Sequence, residues 1–222
     1  NDLVPNSRWY SGSGIYRDVY LVRTNEIHFD HFGVRCATNG IYPKQDTALL
    51  QIRAQVVNDG STAENVGVLH KIYDRDGKLV STSGIALYLE PGESSDCMVR
   101  PTVEAPHLWT DEDPYLYTLV STVVADGREL DSFTCKTGIR TAVFDADRGF
   151  LLNGGTVKIK GMCVHHDCGL TGAVGYRESW ERRLKELKDM GCNGIRCSHN
   201  PPAPVLLDLC DELGFLVMDE AF

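Results

Sequence analysis

The chain has 222 residues, of which 42% are hydrophobic and 24% are charged. This composition is typical of a folded globular protein and excludes a disordered, collagen-like or coiled-coil chain; the length predicts one or two domains. The formal net charge of −9 argues against nucleic-acid binding, because so acidic a chain repels phosphate backbones. We expect no membrane span and recognise no secretory signal, which leaves the compartment open between cytoplasm and periplasm.

The first 25 residues are rich in glycine, tyrosine and arginine, and they end in a strand-like stretch at 18–22. A segment of this size cannot bury a core of its own. We therefore expect residues 1–25 to be the end of another domain or a strap on the next one. The chain begins without methionine, so we also expect it to be an internal piece of a longer protein.

Residues 26–142 show short runs of alternating apolar and polar side chains and no helical period. The clearest runs lie at 50–58 and 115–124. Turn signals such as Asp76-Gly77 separate the runs, because glycine tolerates the backbone conformation of tight turns. About seven strands with a turn every eight to twelve residues predict an antiparallel β-sandwich of immunoglobulin type.

In residues 143–222, strands and helices alternate. The pattern predicts strand 156–161, helix 177–190, strand 193–197, helix 203–213 and strand 215–218. Apolar strands joined by helices indicate parallel βαβ units, with the second and third strands side by side. The third strand would leave an open apolar edge, so we expect a truncated domain that can self-associate through that edge.

Polar side chains gather where these three strands end. In βα folds, functional groups lie at the carboxyl ends of the strands, so these residues predict a pocket for a polar ligand. The candidate residues are His165, His166 and Asp167 after the first strand, Arg196, Ser198, His199 and Asn200 at the second, and Asp219 and Glu220 at the third.

Each of these signals also has a structural explanation. The two histidines after the first strand fit a capping loop, and Asn200 before proline fits the end of a strand. Arg196 lies in an apolar strand, and an unpaired buried guanidinium is costly, so it requires an anionic partner. That partner is Glu220, Asp219 or a carboxylate outside the chain.

Eight cysteines in a chain of this length are too few for a disulfide scaffold, so we expect mostly reduced thiols. Cys163 and Cys168 flank a loop dense in metal-ligand types, but their spacing does not match the paired ligands of a zinc site. We assign no metal to the chain, and the redox state of these two cysteines stays open.

Five motifs in order resemble glycoside hydrolase family 2, the family of β-galactosidases and β-glucuronidases. The resemblance covers essentially the whole chain. Its motifs are residues 8–17 (RWYSGSGIYR), His107–Thr110 with Pro114–Tyr117, Asn153-Gly154 with Lys160-Gly161 and His165–Asp167, Arg196–Pro202, and Asp219–Ala221.

The resemblance implies a domain order. Residues 1–25 would be the end of a sugar-binding jelly roll, 26–142 an immunoglobulin-like β-sandwich, and 143–222 the first three strands and two helices of a truncated (β/α)8 TIM barrel. The family hydrolyses β-glycosides with retention, using two glutamates that follow the fourth and seventh barrel strands. Both would lie beyond Phe222, so we expect this chain alone to be inactive. Glu220 matches neither position and is not assigned as catalytic.

The resemblance also implies supporting roles and leaves the sugar open. His165 and His199 would bind sugar hydroxyls, and Arg196 would lie beside the nucleophile and keep it ionised. Asn200, Asp219 and Glu220 would line or brace the pocket. The Mg²⁺ ligands of some members lie beyond Phe222, so no cofactor is assigned here.

The motifs are closer to the β-galactosidases than to the β-glucuronidases, and a β-mannosidase is a further alternative. The alternative outside the hydrolases is a non-catalytic carbohydrate-binding or interdomain module, in which exposed aromatic side chains such as Tyr88 or Trp109 would contact glycan.

Overall fold

The computed structural model describes residues 14–221. The first nine strands are β1 (Ile27–Phe29), β2 (Arg35–Tyr42), β3 (Thr47–Asn58), β4 (Glu64–Tyr73), β5 (Leu79–Leu89), β6 (Ser94–Val99), β7 (Thr102–Glu104), β8 (Tyr117–Ala125) and β9 (Arg128–Thr137). The elements that follow are β10 (Ala142–Asp145), β11 (Gly149–Leu152), β12 (Gly155–Thr156), β13 (Gly161–His165), a 3-10 turn (Gly169–Thr171), α1 (Arg177–Asp189), β14 (Gly194–Ser198), α2 (Pro204–Leu213) and β15 (Leu216–Met218).

Strands β1 to β9 form a sandwich of two antiparallel sheets. In one sheet the long strand β3 pairs with β1, β2, β6 and β7, and the other sheet has the order β5-β4-β8-β9. Alternation along β3 turns every second side chain inward, so that Leu50, Ile52 and Val56 are buried. The predicted sandwich is confirmed. Its strands outnumber the predicted seven because β1 and β7, at three residues each, are too short to show an alternating pattern.

The C-terminal part is a parallel sheet in the order β13-β14-β15 with two covering helices. Trp180 and Leu184 of α1 and Leu206 of α2 share one core with the sheet residues Val164 and Ile195. Both helices begin and end within one residue of the predicted bounds. These βαβ units are the predicted start of a TIM barrel.

The first barrel strand lies later in the chain than predicted. The strand expected at residues 156–161 is interrupted: β12 ends at Thr156 and pairs with β11, whereas β13 begins only at Gly161. Between them the amide of Val157 bonds the carbonyl of Phe150 at 3.0 Å. The alternating pattern of this stretch therefore belongs to the small antiparallel sheet β10-β11-β12 that precedes the barrel.

The strand predicted at residues 18–22 is also wrong. These residues are exposed and have no strand assignment in the structure. The start of the first family motif, residues 8–13, lies outside the described residues.

The sandwich contacts the barrel at the amino ends of the parallel strands, a region we call the docking rim. Trp109 is 1% exposed. Its Nε1 donates a hydrogen bond of 2.8 Å to the carbonyl of Asp211 on α2, and the Arg140 guanidinium lies 4.8 Å from its ring centroid. The ring is therefore occupied within the protein, and its proposed role as an exposed glycan contact is wrong.

The loop that follows Trp109 completes the docking rim. Lys188 Nζ donates to the carbonyls of Asp111 and Gly214 at 2.6 and 2.8 Å, and Asn193 Nδ2 donates to Asp111 Oδ2 at 2.8 Å. Gly214 ends α2 with a φ of +75°. A β-carbon there would collide with the carbonyl of Asp111, so glycine permits both the helix end and the close approach of the sandwich.

Candidate functional site

The carboxyl ends of β13, β14 and β15 form the opposite edge of the sheet, which we call the site rim. The parallel register aligns Cys163 of β13 with Arg196 of β14 and with Met218 of β15. Residues at the same level of neighbouring strands point to the same face. The side chains of Cys163 and Arg196 therefore meet, and the residues just after each strand come together at the rim.

Arg196, His199 and Glu220 form a connected cluster at the site rim. The Arg196 guanidinium bonds Glu220 Oε1 through Nη2. The second carboxylate oxygen, Oε2, is 3.1 Å from His199 Nδ1, and Arg196 Nη2 is 3.3 Å from the same nitrogen. Both oxygens of Glu220 are thus engaged, one by each partner.

This geometry sets the charge state of Glu220. Burial alone would raise the pKa of this carboxyl, but hydrogen bonds from His199 and Arg196 and the positive charge of the guanidinium outweigh burial. The net pKa lies below its ordinary value. Glu220 is therefore ionised at neutral pH and accepts a hydrogen bond from the Nδ1–H tautomer of His199. That tautomer leaves Nε2 of the same ring to accept a hydrogen bond from a ligand hydroxyl.

The structure identifies the partner of Arg196 as Glu220. The sequence left three choices open, and the family resemblance pointed to a carboxylate outside the chain. The guanidinium has further donors: Nη1 donates to Cys163 Sγ and to Ser198 Oγ, each at 3.5 Å. These neutral acceptors bind more weakly than a carboxylate, so an anionic group that approached the Nη1 side could replace them.

The other three candidate residues occupy different places. The His165 ring lies edge-on to His199, with 5.4 Å between centroids, and so belongs to the cluster. Asn200 instead lines a neighbouring open cavity of about 450 Å³. Asp219 is exposed, and its Oδ1 accepts the backbone N–H of Glu220 at 2.8 Å. The structure thus gathers four of the six predicted residues, with Asp219 supporting the backbone of one of them.

Cys163 is a member of this site that the sequence did not assign. It is exposed, and hydrogen bonds to Arg196 and Ser198 lower the pKa of its thiol. The signal was available in the strand alternation, which puts Cys163 on the same face as His165. To place Cys163 beside Arg196 also requires the register of β13 with β14, which only the structure supplies.

The residues at the site rim suit hydroxyl recognition better than metal binding. Within residues 14–221, no three histidine, cysteine or acidic side chains lie close enough together to hold a metal ion. An ionised carboxylate, a guanidinium and two imidazoles in one cluster supply hydrogen-bond donors and acceptors at fixed positions. Such a set is chemically suited to a ligand that carries several hydroxyl groups.

Comparison with known proteins identifies the family. The profile described as "Glycosyl hydrolases family 2" matches residues 34–140, and the profile "Glycosyl hydrolases family 2, TIM barrel domain" matches residues 144–222. The chain belongs to glycoside hydrolase family 2.

The chain is similar both to proteins named as β-galactosidases and to proteins named as β-glucuronidases. A β-galactosidase of Bacteroides ovatus is 48% identical over 98% of this chain, and a β-glucuronidase of Bacteroides fragilis is 29% identical over 98% of it. The crystal structure of a family 2 member from Bacteroides cellulosilyticus covers 99% of the chain with a TM-score of 0.93 and 37% identity. A Bacteroides uniformis β-glucuronidase structure covers 97% with a TM-score of 0.88 and 33% identity.

These relatives are much longer than the chain. The chain spans 25% of the Bacteroides ovatus protein, 31% of the Bacteroides fragilis protein, 30% of the Bacteroides cellulosilyticus structure and 26% of the Bacteroides uniformis structure. Among the helices of residues 14–221, none has the length and apolar character needed to cross a membrane.

Proposed function

We propose that the chain is part of a retaining, exo-acting β-glycosidase, to which it contributes an immunoglobulin-like domain (26–142) and the first three strands of a catalytic barrel (143–222). The observation that carries this proposal is the cluster of Arg196, His199 and Glu220 beside His165 at the carboxyl ends of three parallel strands, in a chain of family 2. Residues 1–25 would end a preceding jelly-roll domain.

The chemistry requires two carboxyl groups about 5 Å apart. One attacks the anomeric carbon while the other protonates the departing glycosidic oxygen, which breaks that bond and forms a glycosyl-enzyme. Water, deprotonated by the second group, then attacks the same carbon and releases the sugar with its original configuration. We propose that neither group belongs to residues 1–222, because both oxygens of Glu220 are already engaged and its lowered pKa makes it a poor proton donor.

The cluster at the site rim would prepare this reaction. The Nη1 side of Arg196 would face the nucleophilic carboxylate and keep it ionised. Nε2 of His199, with its tautomer set by Glu220, and the His165 ring would bind hydroxyls of the sugar. Asn200 and Asp219 would line or brace the pocket. We assign no cofactor to this chain and no nucleic-acid partner, and self-association through the edge of β15 stays a prediction.

The substrate class we favour is β-galactosides. A β-galactosidase is the relative at 48% identity, whereas proteins named as β-glucuronidases match at 36% and 29%. β-Glucuronides and β-mannosides are the alternatives within the class. The non-catalytic binding module has less support, because Trp109 is buried at the docking rim and of the two named aromatics only Tyr88 is exposed.

The test is a panel of nitrophenyl β-galactoside, β-glucuronide and β-mannoside with the full-length protein. We expect the highest kcat/KM on the galactoside, and NMR should show the β-anomer of the sugar as the first product. If the protein hydrolyses none of the three substrates, or if the α-anomer is released first, the proposal is contradicted. Residues 1–222 expressed alone should show no turnover, and turnover there would contradict the external location of the carboxyl groups.

A further inference from the structure

Two loops at the site rim, those after β13 and β14, are each held by an arginine that bonds backbone carbonyls. For the loop after β13 the arginine comes from the barrel itself. Arg183 on α1 donates through Nη2 to the carbonyl of Asp167 at 2.5 Å, and its Nη1 lies 3.5 Å from the carbonyl of His165. The first βα unit thus fixes its own loop.

The loop after β14 is held from a distant part of the chain. Arg17, which precedes the sandwich, donates through Nη2 to the carbonyl of Pro201 at 2.5 Å and through Nη1 to the carbonyl of Pro202 at 3.4 Å. The donor and acceptors are 184 and 185 residues apart in the chain. These two prolines directly follow His199 and Asn200, so the bonds fix the backbone that carries both candidate residues.

The environment of Arg17 strengthens this contact. The side chain is half-buried, and its Nε is enclosed, with no hydrogen-bond partner within residues 14–221. Hydrogen bonds from a charged donor are stronger than neutral ones. Lysine would reproduce the contact only in part, because Arg17 uses two separate nitrogens of a planar group, one for each carbonyl, whereas an ammonium carries all its donors on one nitrogen.

The neighbouring residue reaches the first loop. The Tyr16 ring lies 5.9 Å from the ring of His166, which in turn lies 5.2 Å from the ring of Trp180 in the barrel core. His166 directly follows His165. Two consecutive residues, Tyr16 and Arg17, therefore contact the loops that carry the two histidines of the cluster.

The contact also shapes a cavity. Residues 14–17 form one wall of the space of about 450 Å³, and Asn200 and Pro201 form the other. His199 is held independently through Glu220, whereas no hydrogen bond of the Asn200 side chain is observed among the described contacts. Loss of the Arg17 contact would therefore displace Asn200 more than His199.

We propose that Arg17 is a positioning residue for the loop Asn200–Pro202, and that the segment preceding the sandwich thereby completes one wall of the glycoside-binding region. The effect on kinetics rests on the proposed function, whereas the effect on the loop does not. A small displacement of a positioned group costs roughly 100-fold in rate at most sites of this kind. Because His199 keeps its own support, we expect a smaller effect, roughly 10-fold, expressed mainly in KM.

The experiment compares Arg17→Ala with Arg23→Ala in the full-length protein, since Arg23 is an exposed arginine of the same segment. Steady-state kinetics on nitrophenyl β-galactoside should show the rise in KM for Arg17→Ala alone. Hydrogen–deuterium exchange of peptides covering residues 196–207 should be faster in that variant. Millimolar guanidinium should restore part of the lost activity, a rescue that a general loss of stability would not show.

Several outcomes would overturn the inference. One is wild-type KM and wild-type exchange at 196–207 in Arg17→Ala. If that variant does not fold, Arg17→Lys is measured in the same assays; an intermediate loss supports the inference, and wild-type behaviour in both assays contradicts it. If the unmodified protein hydrolyses no glycoside, the proposed function fails, and the exchange measurement alone then decides the role of Arg17.

Discussion

The two rims of the parallel sheet use the same three strands in different ways. At the docking rim, side chains bond mainly to the backbone: Trp109 to the carbonyl of Asp211, and Lys188 to the carbonyls of Asp111 and Gly214. At the site rim, Arg17 and Arg183 also bond backbone carbonyls, but charged and titratable side chains bond to each other as well, as in the cluster of Arg196, His199 and Glu220.

This difference suggests that the docking rim mainly stabilises the fold, whereas the site rim mainly serves the ligand. Bonds to backbone carbonyls hold elements together whatever the ligand, and they leave no charge seeking a partner. A cluster of charged and titratable side chains, half-exposed at the carboxyl ends of strands, holds polar groups ready for a ligand instead. We therefore expect changes at the site rim to lower catalytic efficiency with little loss of stability, and changes at the docking rim to do the reverse.

The largest expected effect is that of Arg196→Ala. Under the proposed function the guanidinium keeps the nucleophile ionised, so its removal should lower kcat/KM of the full-length protein roughly 1000-fold, as for the loss of one preorganised electrostatic group. Steady-state kinetics and a thermal unfolding curve on the same preparation check the result. Wild-type kcat/KM in a folded variant would remove Arg196 from the site.

A smaller loss, roughly 100-fold in kcat/KM, is expected for Glu220→Gln, because one of the two acceptor oxygens becomes an amide NH2, so Arg196 and His199 can no longer both be accepted. The variant also tests the lowered pKa. A carboxylate with a lowered pKa stabilises the fold at neutral pH, and this contribution is lost as the pH falls through the folded-state value.

The stability difference between wild type and Glu220→Gln should therefore shrink as the pH is taken from 7 down below 4. Urea unfolding at several pH values measures it. A difference that stays constant over this range would contradict the charged state assigned to Glu220.

At the docking rim, Gly214→Ala should lower the free energy of unfolding by about 1–3 kcal/mol, because alanine is strained at positive φ and its β-carbon meets the Asp111 carbonyl. The matched control is Gly191→Ala, where φ is +85° and no atom lies within 4 Å of the added carbon. The control should show only the backbone strain, about 1 kcal/mol.

Denaturant unfolding gives the free energy of unfolding of both glycine variants. The difference between the two losses is the cost of the contact with the Asp111 carbonyl. Neither variant should change kcat/KM of the folded protein by more than about twofold. Equal destabilisation by the two substitutions would show that the close approach of the sandwich to Gly214 does not affect the free energy of unfolding.

The smallest effect is expected for Trp109→Phe, which keeps most of the buried ring and removes the bond to the Asp211 carbonyl. One lost hydrogen bond of this kind costs about 1 kcal/mol. The comparison of the rims predicts that kcat/KM stays unchanged. A loss of activity in this variant, with stability unchanged, would mean that a change at the docking rim alters the residues at the site rim.

Much of this organisation could be predicted from the sequence for identifiable reasons. The bounds of α1 and α2 follow from apolar side chains at helical spacing and from a glycine near each helix end. The convergence of His165, Arg196 and His199 follows because parallel strands place their carboxyl ends at one edge.

Other features could not be predicted because they depend on long-range partners. The alternation at residues 157–160 fits a barrel strand as well as an extension of β12, and only pairing decides between them. The choice of Glu220 as partner of Arg196, and the membership of Cys163, needed the register of β13 with β14. The contact of Arg17 with Pro201 joins segments that no local pattern connects.

The brevity of β14 has a consequence for how this family can vary. Its five residues, Gly194–Ser198, join Asn193 at one rim to His199 at the other. A single insertion within the strand would turn Arg196 to the opposite face, since side chains alternate along a strand. It would also separate Asn193 from Asp111. Changes of length should therefore accumulate in the loops that flank this strand and be absent from the strand itself.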